Sequence, residues 1–345
     1  LIQIKAAIGR MGLTERPIEE LVMNPCCRPT AFSAQLQVLA DAAPAVAALI
    51  DRHEASRLDW LPGELVDFSD DDQLPALREL RDRARGLDPA IKVSVMLNLL
   101  TEEGLPHFHR IISEHVGSQA IWQRWTRLWT AEEDRHGNVM RDYARDAALF
   151  EPGALDRLQF DFLDAGFDPD WAGSPYRLLA YTSLQERATQ VSHANTARLA
   201  AAHEPLLQKV LARLAGDEAR HCAFYRDAFA LALAADPDAA LLELATVAPK
   251  LSMPGGTIAG FQMMAEVERQ AGVFGPREYA ALVSESLSHW AIGDVEPHGS
   301  EARRARDALM ALPARLGALA DRLEHRRQLK TFEFAFLRDR LAALV

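Results

Sequence analysis

The chain has 345 residues, 49% of them hydrophobic, and sets 49 acidic side chains against 38 Lys and Arg for a formal net charge of −11. That composition excludes a wholly disordered chain, supports one large core or two smaller ones, and argues against a general nucleic-acid binder. No apolar run is long enough to span a membrane, and Cys26, Cys27 and Cys222 lack metal-ligand spacing, so a soluble cytoplasmic protein in a reducing compartment is expected.

Residues 1 to 31, with Glu15, Glu19 and Glu20, fit neither a signal nor a transit peptide and are expected to be a poorly ordered extension. Ala, Leu, Arg and Glu dominate the remainder, and long alternating Val/Ile/Thr stretches are missing, which predicts an all-α fold. A helical pattern runs from about Phe32 to Arg57 with a break at Pro44, and Trp60-Leu61-Pro62-Gly63 ends it. The acidic cluster Ser69-Asp70-Asp71-Asp72 is expected to cap a charged helix through Arg85. Asp88-Pro89 opens an apolar helix that reaches Glu102 and continues past a kink at Pro106. Ser118 is expected to cap the next, whose Trp122, Trp125 and Trp129 read as core packing and which arrives at Glu133 and His136.

Turn-rich connections at Pro152-Gly153-Ala154 and from Gly166 to Pro175 flank a short helix. A long helix after Tyr176 carries Glu186, and another after Glu204-Pro205 carries Glu218 and His221. Beyond Asp236-Pro237 the pattern continues in shorter pieces expected to pack around the others. Arg303, Arg304, Arg306, Arg315, Arg322, Arg326, Arg327 and Lys330 are dense enough for a basic docking patch, or equally for a solvated helix face. No phosphate loop, zinc pattern or Gly-x-Ser-x-Gly elbow is present.

Two stretches, Glu133-Asp134-Arg135-His136 and Glu218-Ala219-Arg220-His221, share the form Glu-x-x-His. In a helix that step brings Glu and His to nearly one edge, where both can grip one metal. Composition alone yields about one such match by chance. The signal comes from Glu102, 31 residues before Glu133, and Glu186, 32 residues before Glu218, each inside an apolar helical pattern. A Glu from each of two helices and a Glu-x-x-His from each of two others is the ligand set of a ferritin-like di-iron four-helix bundle. Its donors, four carboxylates and two imidazoles, suit a first-row metal of intermediate hardness. The competing reading places Glu133 and Glu218 on exposed faces, with the two His as ordinary core residues.

The stretches Thr101 to Pro106, Trp129 to Gly137, Tyr181 to Thr189, Asn195 to Arg198, Asp217 to His221 and Ser252 to Pro254 together resemble the soluble acyl-carrier-protein desaturases, the plant stearoyl type and its actinobacterial relatives. The resemblance covers about residues 32 to 345 and implies a single ferritin-like desaturase domain. Its implied iron ligands are Glu102, Glu133, His136, Glu186, Glu218 and His221, with Glu133 and Glu218 bridging two irons. Trp60 matches the tryptophan that begins an electron path through Asp217 to His136, and Thr189 a threonine near the oxygen site. The connection around His115 to Ser118 is several residues shorter than in the plant enzymes, which bears on the pocket end.

The resemblance further implies an O2-dependent oxidoreductase that places a cis double bond in an acyl chain carried on acyl carrier protein, with a ferredoxin-type donor and a homodimeric enzyme. Methylenes along a chain are chemically near-identical, so a shaped tunnel must choose among them. Two rival readings use the same six ligands: a ferritin-like iron-oxidising or peroxide-scavenging protein, and a homologue that holds acyl carrier protein without turnover.

Overall fold

A computed structural model describes residues 28–169, 173–251, 253–325, 328–338 and 341–343. Residues 1–27, with Cys26 and Cys27, lie outside the described residues, as do Ser252, Arg326 and Arg327. The described chain is helical nearly throughout. Its order is α1 (Arg28–Asp41), α2 (Ala43–Ser56), α3 (Pro62–Leu65), α4 (Leu74–Arg85), α5 (Pro89–Glu102), α6 (Leu105–Val116), α7 (Ala120–Asp146) and α8 (Pro152–Ala165). There follow α9 (Pro175–Ala200), α10 (Pro205–Ala235), α11 (Pro237–Val247), α12 (Phe261–Gln270), α13 (Pro276–His289), α14 (Ser300–Glu324), β1 (Thr331–Glu333) and β2 (Leu341–Ala343).

Proline sets the punctuation. Pro89, Pro152, Pro175, Pro205, Pro237 and Pro276 each stand at the first position of a helix, where a missing N–H costs nothing and the fixed φ is already helical. Four of these starts are also capped: the side chains of Asp88, Ser174, Glu204 and Asp236 accept backbone N–H bonds from Ala90, Arg177, Leu206 and Ala239. The break expected at Pro44 is a 61° bend between α1 and α2.

Several local expectations are corrected. The first helix begins at Arg28, ahead of the boundary placed at residue 32. Neither Ser118 nor the Ser69 to Asp72 cluster caps its expected helix: α7 follows Gln119, one residue beyond Ser118, and α4 follows Gln73, after a 3-10 turn over Asp71–Gln73, neither with a side-chain cap. The chain does not kink at Pro106 but ends α5 and restarts at Leu105, with Pro106 inside the first turn of α6. α14 is a 25-residue helix rather than a short piece. Its buried Leu309, Leu312, Leu316, Leu319 and Leu323 keep one apolar edge across Pro313, and packing on α11 and α13 outweighs the hydrogen bond Pro313 removes. The hairpin of β1 and β2, antiparallel with Phe332 opposite Ala342, was not foreseen; a three-residue strand is too short for periodicity to show.

α5, α7, α9 and α10 form a four-helix bundle, with α9 and α10 paired most extensively and α7 against α5 and α10. α9 is buried on almost every side, as the central helix of a core must be. Two apolar clusters meet in this bundle. One gathers Trp122, Trp125 and Trp129 of α7 with Phe224 to Leu233 of α10 and reaches out to α11, α13 and α14. The other gathers Val139 to Ala144 of α7 with Leu207 to Leu214 of α10 and the apolar face of α5. On both α7 and α10, the Glu-x-x-His stretch falls between the two clusters.

Because Asp88 caps the helix that delivers Glu102, Asp88→Ala is expected to lower unfolding free energy by about 1 kcal/mol in denaturant titrations, while Asp88→Ser stays near wild type.

Candidate metal centre

The six side chains singled out by spacing converge. Donor atoms of Glu102, Glu133, His136 and Glu218 lie within 4.8 Å of one another, and so do donors of Glu133, Glu186, Glu218 and His221. The two groups share Glu133 and Glu218. His136 Nδ1 lies 3.2 Å from Glu218 Oε1, 3.5 Å from Glu133 Oε2 and 3.7 Å from Glu102 Oε2. His221 Nδ1 lies 2.7 Å from Glu133 Oε1, 3.9 Å from Glu218 Oε2 and 4.0 Å from Glu186 Oε2. Each shared carboxylate therefore turns one oxygen to each imidazole, the geometry a bridging ligand needs.

The unpaired atoms test whether a metal fits. Glu133 Oε1, both oxygens of Glu218, His136 Nδ1 and His221 Nδ1 are buried without an aligned hydrogen bond. Buried polar atoms without partners are costly, and five of them facing one space call for something that accepts lone pairs. Four carboxylate charges would balance two divalent cations, and the oxygen and imidazole donors suit first-row metals. The residues present fit such a pair of ions.

Electrostatics without a cation say the same. Burial, together with the charges of Glu218 and Glu133, pushes Glu186 well above the usual carboxylate range, and burial and Glu218 raise Glu133. Burial works against the charge of Glu218, yet the facing His136 and His221 imidazoles hold it well below its usual value. Burial also opposes a charge on either imidazole, but the surrounding carboxylates raise both well above the ordinary histidine range. The cluster thus carries protons in the place of cations, and metal binding must release them.

Outside the donors stands a second ring of partners. His136 turns Nε2 to Asp217 Oδ2 at 3.3 Å, and Trp60 Nε1 donates to the same oxygen at 2.8 Å. The Trp60 and His136 rings are nearly parallel, 8° apart with centroids at 6.4 Å, and the Arg135 guanidinium covers Trp60 at 4.9 Å. Asp217 also pairs with Arg220. On the opposite side His221 turns Nε2 to Glu132 Oε2 at 2.9 Å, and His53 meets that oxygen at 2.8 Å. Glu102 Oε1 is held by His193 Nε2 at 2.8 Å, and Glu186 Oε1 by Trp129 Nε1 at 3.2 Å. Such outer partners fix the imidazole tautomer and orientation.

Sequence reasoning placed Trp60 and Asp217 but missed Glu132, His53, His193 and the bond from Trp129. Glu132 had a signal: it precedes Glu133 as Asp217 precedes Glu218. His193 stands two turns beyond Glu186 on the same helix edge. His53 had none, since its partner is 79 residues away.

A cavity lies directly on the cluster, lined by Glu102, Phe108, Trp129, Glu133, Glu218 and others. A second cavity, open on one side, adjoins it through shared Thr101, Thr189 and Met253 and continues under α12 past Ala265, Glu268 and Phe274. Thr189 thus lines both; its hydroxyl donates to Gln185 O at 3.2 Å and accepts from Gln185 Nε2 at 3.1 Å. Of the C-terminal basic residues, Arg303 and Arg306 bond backbone carbonyls of the turn before α14. No single helix among the described residues is long and apolar enough to cross a membrane.

A family model described as fatty acid desaturase matches residues 34–338. The putative acyl-[acyl-carrier-protein] desaturase DesA1 of Mycobacterium tuberculosis is 31% identical over 303 residues, covering 85% of this chain and 89% of that protein. The chloroplastic stearoyl-[acyl-carrier-protein] 9-desaturase 1 of Oryza sativa is 33% identical over 301 residues, covering 81% and 79%. The X-ray structure of putative acyl-ACP desaturase DesA2 from Mycobacterium tuberculosis superposes with a TM-score of 0.55 at 20% identity, over 78% of this chain and 99% of that one, and shares the ferritin-like helical fold.

Glu133→Gln and Glu186→Gln each replace a carboxylate donor by a neutral amide at little change in shape. Iron retained after desalting is expected to fall in both variants, read by metal analysis of the folded protein. Burial pushes the Glu268 carboxyl up to about 8. A carboxyl raised by folding keeps its proton in the native state while the unfolded chain loses it, so stability falls as pH rises from the unfolded value toward 8. The slope is at most about 1.4 kcal/mol per pH unit. Glu268→Gln is expected to flatten that part of the stability profile.

Proposed function

The chain belongs to the fatty acid desaturase family, and from that premise we propose that it is an O2-dependent acyl-[acyl-carrier-protein] desaturase that inserts a cis double bond. In this reading Glu102, Glu133, His136, Glu186, Glu218 and His221 hold two irons, with Glu133 and Glu218 between them. The observation that carries it is the cavity wall: the space that receives the unpaired donor atoms adjoins a mainly apolar cavity through the shared Thr101, Thr189 and Met253. A protein that only oxidises or stores iron has no use for such a cavity, which favours an acyl ligand over the iron-handling alternative.

Bound there, a pair of irons would supply the oxidising power of O2 needed to remove two hydrogens from adjacent unactivated methylenes. Forming one double bond while reducing O2 to two waters consumes two further electrons and two protons, so an external donor, of ferredoxin type in this proposal, is required. Trp60, Asp217 and His136 form a continuous hydrogen-bonded chain along which electrons entering at Trp60 reach the cluster. Arg135 lies over Trp60 and near Asp217, and its charge favours an electron arriving on that side. Thr189 sets a hydroxyl where the two cavities join, beside Glu186, at the oxygen side of the cluster. Trp129 and His193 hold Glu186 and Glu102 in place.

The tunnel selects the carbon position. Leu97, Phe108, Ala188, Met253, Phe261 and Phe274 exclude water and hold methylenes in register with the cluster. One methylene more or less changes binding by about 1–3 kcal/mol in such a pocket, so chain-length preference is finite. The carrier protein stays outside, and the enzyme acts as a homodimer in the cytoplasm.

Anaerobic reduction of the iron-loaded protein, followed by O2 and acyl carrier proteins bearing chains of several lengths, is expected to give one double bond at a fixed position, read by mass spectrometry of the derivatised products. No double bond in any chain from fully loaded protein would instead identify a binder without turnover.

A further inference from the structure

The inward face of α12 is Phe261, Met264, Val267 and Glu268. Three of these are apolar and the fourth is not; Phe261 and Glu268 line the larger cavity, while Met264 and Val267 pack into the core. Glu268 is 5% exposed, lines the larger cavity, and its Oε1 has no hydrogen-bond partner. Its cavity neighbours Leu97, Ala188, Ala265 and Phe274 offer it none.

The polar groups nearby are occupied with one another. The Ser192 hydroxyl donates to Asn98 Oδ1 at 2.9 Å, and the Ser94 hydroxyl, which hydrogen-bonds the Glu268 carboxyl, is also engaged with Thr196 at 2.7 Å. A buried carboxyl left half-paired in an apolar wall is a standing cost to the fold, and Ala or Leu would line the wall without it. The cost is recovered when a ligand group bonds that oxygen. Held protonated by burial at neutral pH, the carboxyl presents both a donor and an acceptor to such a group.

We propose that Glu268 is the polar contact of the tunnel, which hydrogen-bonds an amide or hydroxyl of the acyl ligand while the methylenes to be oxidised lie at the metal cluster. This rests on the acyl-chain reading of the cavity. The shared chemistry is a neutral group that both donates and accepts, and it has two sources: an amide of the thioester arm, or a hydroxyl on the chain itself. In either case Glu268 sets how far the chain slides along the tunnel, since a bond at one fixed point fixes which carbons sit at the cluster.

The test is a tryptophan-fluorescence titration of the iron-loaded protein with three probes of equal chain length. They are hexadecanoyl-pantetheine, the S-ethyl thioester of hexadecanoic acid, and the S-ethyl thioester of 3-hydroxyhexadecanoic acid. Glu268→Leu is expected to weaken one polar probe by about three- to tenfold, the range of one hydrogen bond, while binding the plain ethyl thioester as well as wild type or better. The probe that loses affinity identifies the source. Glu268→Gln, which keeps donor and acceptor, is expected to retain the polar preference and guards against a fault specific to Leu. Equal changes for all three probes in Glu268→Leu would overturn the contact and leave the acyl reading standing. Failure of wild type to bind any of the three would overturn both.

Discussion

Four carboxylates and two imidazoles have been carried into the seam between two apolar cores, and the surrounding architecture answers the charge that this creates. Each of the four terminal donors has an outer partner: Asp217 for His136, Glu132 for His221, His193 for Glu102 and Trp129 for Glu186. The two shared carboxylates show no such outer bond among the described residues and turn one oxygen to each imidazole. Apolar packing fixes where the helices lie, and the outer bonds fix how the donors turn. The inner space left over is faced by donor atoms that lie within 4.8 Å of one another and could hold metal ions.

The two imidazoles are served alike but not equally. Beyond Asp217 stands Trp60, capped by the Arg135 guanidinium and followed by Leu61, which is 61% exposed. Beyond Glu132 stands His53, packed edge-on against Trp125 inside the core. Both chains of contacts approach the surface, one through Trp60 beside the exposed Leu61, the other through Arg57, whose half-exposed guanidinium lies 3.6 Å from Glu132 Oε1.

The donors were legible in the sequence because helical geometry converts spacing into facing: an i, i+3 pair on one helix and matched intervals between helices are local arithmetic. The helix starts were legible because proline acts on its own residue. What was lost depended on distance. His53 and Glu132 meet across 79 residues and His193 and Glu102 across 91, and no periodicity connects them. Nothing in the sequence separates Glu268 from the other charges of its helix, and the packing of α12 against the cavity shows that it faces inward. Ser118 and the Ser69 to Asp72 cluster had the right chemistry for caps, but one residue moved the first out of position and a 3-10 turn the second.

The acids that precede the two Glu-x-x-His stretches are exchanged between them. Asp217, leading the stretch on α10, serves the imidazole of α7, and Glu132, leading the stretch on α7, serves the imidazole of α10. The chain looks like two copies of a helix pair, each with a Glu and a Glu-x-x-His, yet neither copy keeps the support for its own histidine. A lone pair of helices would hold its donors untethered, so the repeat could not have worked as a single unit that was later doubled without both halves binding each other from the start.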